Sequence, residues 1–253
     1  MEEITSRANP LVGQIRKLNG ARSARRDQGL FVCDGPKLLA EAVRAGAELT
    51  AVLEDGSRPC PAPEGIRRVR VPGDLLKSIS TTETPQGVLF LCRQPDLTLP
   101  ETLPGSRYLV LDGVQDPGNV GTIWRTADAF GADGLILLPG CADPFSPKTV
   151  RATMGACFRL PVWETDLEGL LCALDRTGLS LYATALRADT DDVRRAELGH
   201  CAVVIGSEGR GVSQAVLDRC AGTLKIPMRQ RCESLNAAVA AAVVLWEMAR
   251  PLL

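Results

Sequence analysis

From residue 107 onward, five short apolar runs rich in strand-forming residues recur along the chain: RYLVLDGV, GLILLP, LSLYATAL, CAVVIGSEG and GTLKIP. Several are separated by segments of helical length. Near-continuous apolar strands are covered on both faces, and strands spaced by helices pair in parallel. The expectation is an α/β fold built on a mainly parallel sheet covered by helices. Ligands of such sheets bind beyond the carboxyl ends of the strands, so the loops that follow these runs are where chemistry is sought.

The first part of the chain reads differently. Residues 30 to 92 alternate the runs LFVC, LTAVL, RRVRV and GVLFLC with a helical pattern, KLLAEAVRAG, which predicts a small α/β unit. The stretch QPDLTLPETLPGS, Gln94 to Ser106, holds three prolines and little periodic apolar content, the composition of a linker. The predicted division is residues 1–95, a linker at 96–106, and residues 107–253.

Composition excludes several classes. With 253 residues and 45% hydrophobic content a sizeable core can be buried, but a net charge of −1 gives no global attraction to nucleic acid. Any RNA contact must come from local patches. The nine cysteines are never closer than the twelve residues between Cys220 and Cys232, so no CxxC pair exists for zinc or thiol redox chemistry. Reduced and mostly buried thiols are expected. The start MEEITSRANP has neither a basic segment nor an apolar core, and no apolar run reaches the roughly 18 residues that span a membrane. These features predict a cytoplasmic protein with no membrane partner.

Three strand-following segments carry candidate chemistry. In DPGNVGTIWRTADAF, Asp116 to Phe130, Asn119 suits a helix cap. Helical spacing puts Val120, Ile123, Ala127 and Phe130 on one face, with Arg125 about 200° from Ile123 and so off that stripe. By spacing alone an ordinary cap and a solvated arginine are the favoured reading. VVIGSEGRGVS, Val203 to Ser213, is a glycine-rich turn between strand and helix. It fails the dinucleotide pattern GxGxxG, because Glu208 stands where glycine is needed and its carboxylate would repel a pyrophosphate. A nucleoside without phosphate suits it better, since a carboxylate and backbone carbonyls receive hydroxyls and amino groups and glycines allow close approach. A tight structural turn is the other reading. In IPMRQRCESLNAAVAAAVVLWEMA, Ile226 to Ala249, a basic loop enters a helix that Ser234 or Asn236 can cap. From Ala237 to Trp246 that helix is apolar on every side, which predicts burial all round, in the core or against a second subunit.

Together these segments resemble the SpoU, or TrmH-like, family of RNA ribose 2′-O-methyltransferases within the SPOUT class. NVGTIWRTA (Asn119 to Ala127) is similar to the family's first motif, IGSEGRG (Ile205 to Gly211) to its second, and IPMRQRCESLNAAVA (Ile226 to Ala240) to its third, in the same order and spacing. The segment SRANPLVGQIRKLNGARSARRDQGLFVCDGPKLLAEAV resembles the substrate-binding domain that many members carry. Departures are small: Ala238 stands where some relatives have serine, and Trp124 fills a variable place.

The resemblance implies a SPOUT fold whose carboxyl-terminal segment makes a deep trefoil knot, preceded by a small α/β RNA-binding domain. It implies S-adenosyl-L-methionine as cofactor and a homodimer. Gly206, Ile226 and Leu235 would give backbone contacts to the cofactor, with Met228 nearby. Asn119, Arg125, Glu208, Ser234 and Asn236 fall at the active-site positions, with Asn119 orienting Arg125. No metal is implied, because the sulfonium already activates the methyl group. Arg151, Thr153 and Gly155, in a further matching stretch, would approach RNA or the pocket wall. Ribosomal RNA is the favoured substrate over transfer RNA. A noncatalytic RNA-binding dimer is the rival of another class, and a nicotinamide oxidoreductase is disfavoured by the missing GxGxxG. Finally, Arg7, Arg16, Lys17, Arg22, Arg25 and Arg26 form a basic run without an acidic residue. Alone it fits a solvated helix; set in a substrate-binding domain it predicts RNA contact.

Overall fold

The computed structural model describes residues 1–187, 190–229 and 234–252. The chain forms two compact units, Met1–Pro95 with Phe145–Phe158, and Asp96–Pro144 with Arg159–Leu253.

The first unit contains β1 (Glu2–Glu3), α1 (Pro10–Gly20), α2 (Arg22–Gln28), β2 (Leu30–Asp34), α3 (Pro36–Arg44), β3 (Leu49–Glu54), β4 (Arg68–Arg70), α4 (Gly73–Ile79) and β5 (Val88–Arg93). Its sheet runs in the order β1-β4-β3-β5-β2, parallel from β1 to β3 and antiparallel where β5 meets β3 and β2. Helix α1 starts where the Asn9 side chain accepts from the Leu11 amide at 2.9 Å, with Pro10 at the first helical position. Its Leu11, Val12, Ile15 and Leu18 recur at three- and four-residue spacing and are buried with Leu75, Leu76 and Ile79 of α4. Arg25 is buried too, its guanidinium donating to the Leu18 carbonyl, so the basic run is partly structural.

Phe31 of β2 packs against Phe145 and Phe158, with ring centroids 4.6 and 6.2 Å away. Residues 145–158 therefore complete the first unit, although the sequence division put them in the second. The sequence shows that Phe145, Val150 and Cys157 need burial; composition does not say beneath which sheet.

The second unit holds β6 (Arg107–Asp112), α5 (Pro117–Ala129), β7 (Gly134–Leu137), β8 (Val162–Glu164), α7 (Leu167–Thr177), β9 (Ser180–Thr184), β10 (Asp191–Asp192), β11 (Cys201–Gly206), α8 (Gln214–Leu217), β12 (Gly222–Lys225) and α9 (Ala237–Ala249); α6 (Pro147–Thr153) belongs to the first unit. The strands are ordered β10-β12-β9-β11-β6-β7-β8, and every pairing is parallel, the sheet expected from the apolar runs. The proline-rich stretch is not a free spacer. The Glu164 amide donates to the Leu97 carbonyl at 2.8 Å, and Leu103 is buried in the core with Tyr108 and Leu174. Its leucines, sparse as they are, find a hydrophobic surface beside β8 and α7.

Cys33, Cys92, Cys157 and Cys201 are buried and Cys172 is exposed, while Cys232 lies outside the described residues. Burial pushes the Cys201 thiol up to about 12, which keeps it neutral and unreactive. Among the described residues no helix is long and apolar enough to cross a membrane.

Phe145→Ala removes a ring that is 1% exposed and leaves a void beneath β2. The expected loss of stability is about 3–5 kcal/mol, read from the shift of the urea unfolding midpoint.

Candidate functional site

Four neighbouring strands of the second unit end nearly level, as the pairs Leu224 with Thr184, Val204 with Ala183, and Gly206 with Asp112 show. Beyond their carboxyl ends opens a cavity of about 440 Å³. It is walled by residues 184–186 after β9, 205–209 and 211 after β11, 224–226 and 228 around the end of β12, and 234, 235, 237 and 240 at the start of α9. Glu208 and Lys225 are the ionisable side chains in this wall among the described residues.

The loop after β11 is held shut by its own backbone. The Ser207 amide donates to the Gly211 carbonyl at 3.0 Å and the Gly211 amide returns to the Ser207 carbonyl at 2.9 Å. A Cβ at position 206 would stand 2.0 Å from the Gly211 carbonyl carbon and 2.1 Å from the Val212 nitrogen. Gly206 is thus required by this chain's own path, whereas a Cβ at Gly209 would meet nothing within 4 Å. The Ser213 amide donates to Asp112 Oδ2 at 2.7 Å, which ties the end of the loop to β6.

Helix α5 is capped by Asp116, which accepts from the Asn119 amide at 2.9 Å. The cap expected at Asn119 therefore lies three residues earlier, where Asp116 precedes Pro117 at the first helical position. That frees the Asn119 side chain: its Nδ2 donates to Glu208 Oε1 at 2.6 Å, and its Oδ1 accepts from Asn236 Nδ2 at 3.2 Å. Asn236 caps α9 with its Oδ1, which accepts from the Ala238 and Val239 amides at 2.9 and 3.3 Å. One chain of hydrogen bonds so joins the first turns of α5 and α9 to the carboxylate in the cavity wall.

Of the residues singled out in the sequence, Gly206, Glu208, Ile226, Met228, Ser234 and Leu235 line the cavity, and Asn119 and Asn236 reach it through Glu208. Arg125 stands apart. It is exposed on α5 and has no hydrogen bond or ion pair among the described residues, so Asn119 does not orient it here. Residues 230–233 of the third motif lie outside the described residues. Arg151, Thr153 and Gly155 do not line this cavity; they fall in the first unit, where Thr153 is buried and its hydroxyl donates to the Val150 carbonyl. Sequence reasoning missed Thr184, Ala185, Leu186 and Lys225. The rule that ligands sit at carboxyl strand ends pointed to the loop after LSLYATAL, but no motif there drew attention to it.

Residues 106–246 match the SpoU rRNA Methylase family. The chain belongs to this family. Residues 9–89 match the MRM3-like substrate binding domain. The chain is 34% identical to the 23S rRNA (guanosine(2553)-2′-O)-methyltransferase RlmP of Bacillus subtilis, across 98% of this chain and 99% of that one. It is 32% identical to the 23S rRNA (uridine(2479)-2′-O)-methyltransferase of Streptomyces viridochromogenes, across 98% of this chain and 91% of that one. The AdoMet-bound rRNA methyltransferase of Sinorhizobium meliloti superposes with a TM-score of 0.88 at 31% identity, covering 100% of this chain and 98% of that one. The SpoU match contains the two segments that line the cavity and the one that Asn119 bonds to it.

Gly206→Ala is expected to force the loop open, because both of the nearest obstacles are backbone atoms. A loss of about 1–3 kcal/mol or more should appear in urea unfolding.

Proposed function

We propose that this protein transfers a methyl group from S-adenosyl-L-methionine to a ribose 2′-hydroxyl of ribosomal RNA. The observation that carries this reading is that the second and third SpoU segments line one cavity and the first is tied to it, Asn119 bonding to the Glu208 carboxylate in its wall and accepting from Asn236. A volume of about 440 Å³ falls within the range of small-molecule sites. The wall mixes apolar and polar surface, and Glu208, its one carboxylate among the described residues, suits a ligand with hydroxyl and amino donors and a cationic sulfonium. Gly206, Ile226 and Leu235 are the backbone contacts of this reading and Met228 lies in the same wall. Bound there, the cofactor supplies a methyl group already activated for attack by oxygen.

The chain's own work is alignment and charge. Holding the attacking oxygen in line can contribute roughly 7–11 kcal/mol. Asn119, Glu208, Ser234 and Asn236 form the frame that fixes this geometry. Arg125 acts on the substrate side by clamping a phosphate with its fixed fork of donors and stabilising the developing alkoxide. The hydroxyl proton then passes to the substrate phosphate. RlmP is named for a guanosine and the Streptomyces viridochromogenes relative for a uridine, both at the 2′ oxygen. The shared site accordingly reads the ribose, and the choice of base lies outside it.

In this reading the segment from β11 to α9 forms the trefoil knot, a topology that ordinary connection rules disfavour. The first unit, which includes the match to the MRM3-like substrate binding domain, holds the RNA. A homodimer covers the outer side of α9. That helix is not buried all round within one chain: Val239 and Trp246 are 50% and 46% exposed, and Ala242 and Val243 between them are half-buried. A second copy supplies the missing cover.

S-adenosylhomocysteine at about 100 times its dissociation constant should stabilise the fold by roughly 2.7 kcal/mol, read as a rise in Tm. Arg125→Ala should keep that rise and lower kcat for rRNA methylation by roughly 10²–10³-fold. No rise at saturating ligand would remove the cofactor assignment, and unchanged turnover would remove Arg125 from the mechanism. Light scattering should report a dimer at micromolar concentration and a monomer for Trp246→Glu.

A further inference from the structure

The basic run near the amino terminus does not act as one surface. Arg25 is buried, and Arg7 and Lys17 line a groove of about 820 Å³ together with Arg67, a residue 50 positions further along the chain than Lys17. Gln14 and Gln28 line the same groove and are bonded to each other at 2.8 Å, which places amide donors and acceptors between the cations. Among the described residues no carboxylate lines it. The two nearby acids bind from outside: Asp74 meets Arg7 at 3.3 Å and Glu2 meets Arg67 at 2.9 Å, both in exposed pairs of the kind that exchange easily for another anion. The Lys17 ammonium has no hydrogen-bond or ion-pair partner among the described residues.

Gly13 adds a second, independent observation. It sits inside α1, where glycine is unfavourable relative to other residues, yet a Cβ there would meet nothing within 4 Å. Among the described residues nothing requires its smallness, and it is one of the residues that line the groove.

We infer that this groove is the phosphate-binding track for RNA on the first unit, with Lys17 as its primary contact and Arg7 and Arg67 joining by exchanging Asp74 and Glu2 for phosphate. The inference rests on the reading of the first unit as the RNA-holding part. Arg67 makes bidentate contact with Glu2 now, at 2.9 and 3.0 Å, a geometry that a phosphate reproduces.

The test uses the full chain and an unmodified 23S rRNA transcript, with affinity measured against salt and with crosslinks of bound RNA mapped on the protein. Lys17→Ala should reduce the slope of log affinity against log salt by about 0.7–0.9, and Gly13→Lys should increase it by the same amount while tightening binding. Gly13→Lys also replaces a helical glycine, so its fold should be at least as stable as wild type. Both variants should keep the S-adenosylhomocysteine shift. Ala45→Lys adds the same charge at an exposed position of the first unit outside the groove and should change nothing. An equal gain from Ala45→Lys, or no change in either groove variant while crosslinks still fall within residues 1–95, overturns the groove and leaves the first unit its role. Crosslinks confined to residues 159–253 overturn both.

Discussion

The side-chain amide of Asn236 has its orientation dictated by backbone, and the rest of the site inherits it. Because Asn236 Oδ1 receives the two orphan amides at the start of α9, its Nδ2 must face outward as a donor. Asn119 therefore presents oxygen to Asn236 and nitrogen to Glu208 Oε1, which accepts. Donor and acceptor alternate without a choice at any step. A helix cap, a helix first turn and a strand-end loop are thereby locked in register, and each bond supports the polarity of the next. The Asp116 cap is a precondition, since an Asn119 engaged in capping α5 would have no side chain to give.

The same logic explains how much was legible beforehand. The parallel sheet followed from runs such as CAVVI and GLILLP, because burial on both faces leaves a compositional trace in every strand. The cavity residues Gly206, Glu208, Ile226, Met228, Ser234 and Leu235 were readable through the resemblance of their segments to the SpoU motifs. Three things were not readable. The cap of α5 lies at Asp116 rather than Asn119, since both residue types cap helices and only the position of Pro117 distinguishes them. The affiliation of residues 145–158 depends on which sheet offers Phe31 as a neighbour, a long-range fact with no local signature. Thr184 reaches the cavity through its register with Leu224 of β12, which no single run encodes.

Glycine in this fold serves two opposite purposes that look alike in the sequence. At position 206 the missing side chain makes room for the chain itself, where the loop from Ser207 to Gly211 closes back on β11. At positions 209 and 13 the surroundings are open, so the absent side chain leaves space for something other than the folded chain. Motif glycines are thus divided between those that build the loop and those that leave its outer surface bare, and only the neighbours of the hypothetical Cβ separate them.

A net charge of −1 is compatible with RNA recognition because the cations are sorted by pairing rather than by number. Arg93 with Glu48, Arg176 with Glu101, Arg219 with Glu168 and Arg250 with Glu247 are ion pairs in which at least one partner is well exposed. Such pairs contribute only about 0–1 kcal/mol each to stability. Their larger effect is to cancel field over much of the surface, which lowers attraction for phosphate wherever it is not wanted. Lys17 and Arg125 are among the cations that have no such partner among the described residues. A polyanion approaching a nearly neutral protein is then drawn to the surface regions whose cations are left without acids, so its register depends on where acids are missing as well as on where bases are abundant.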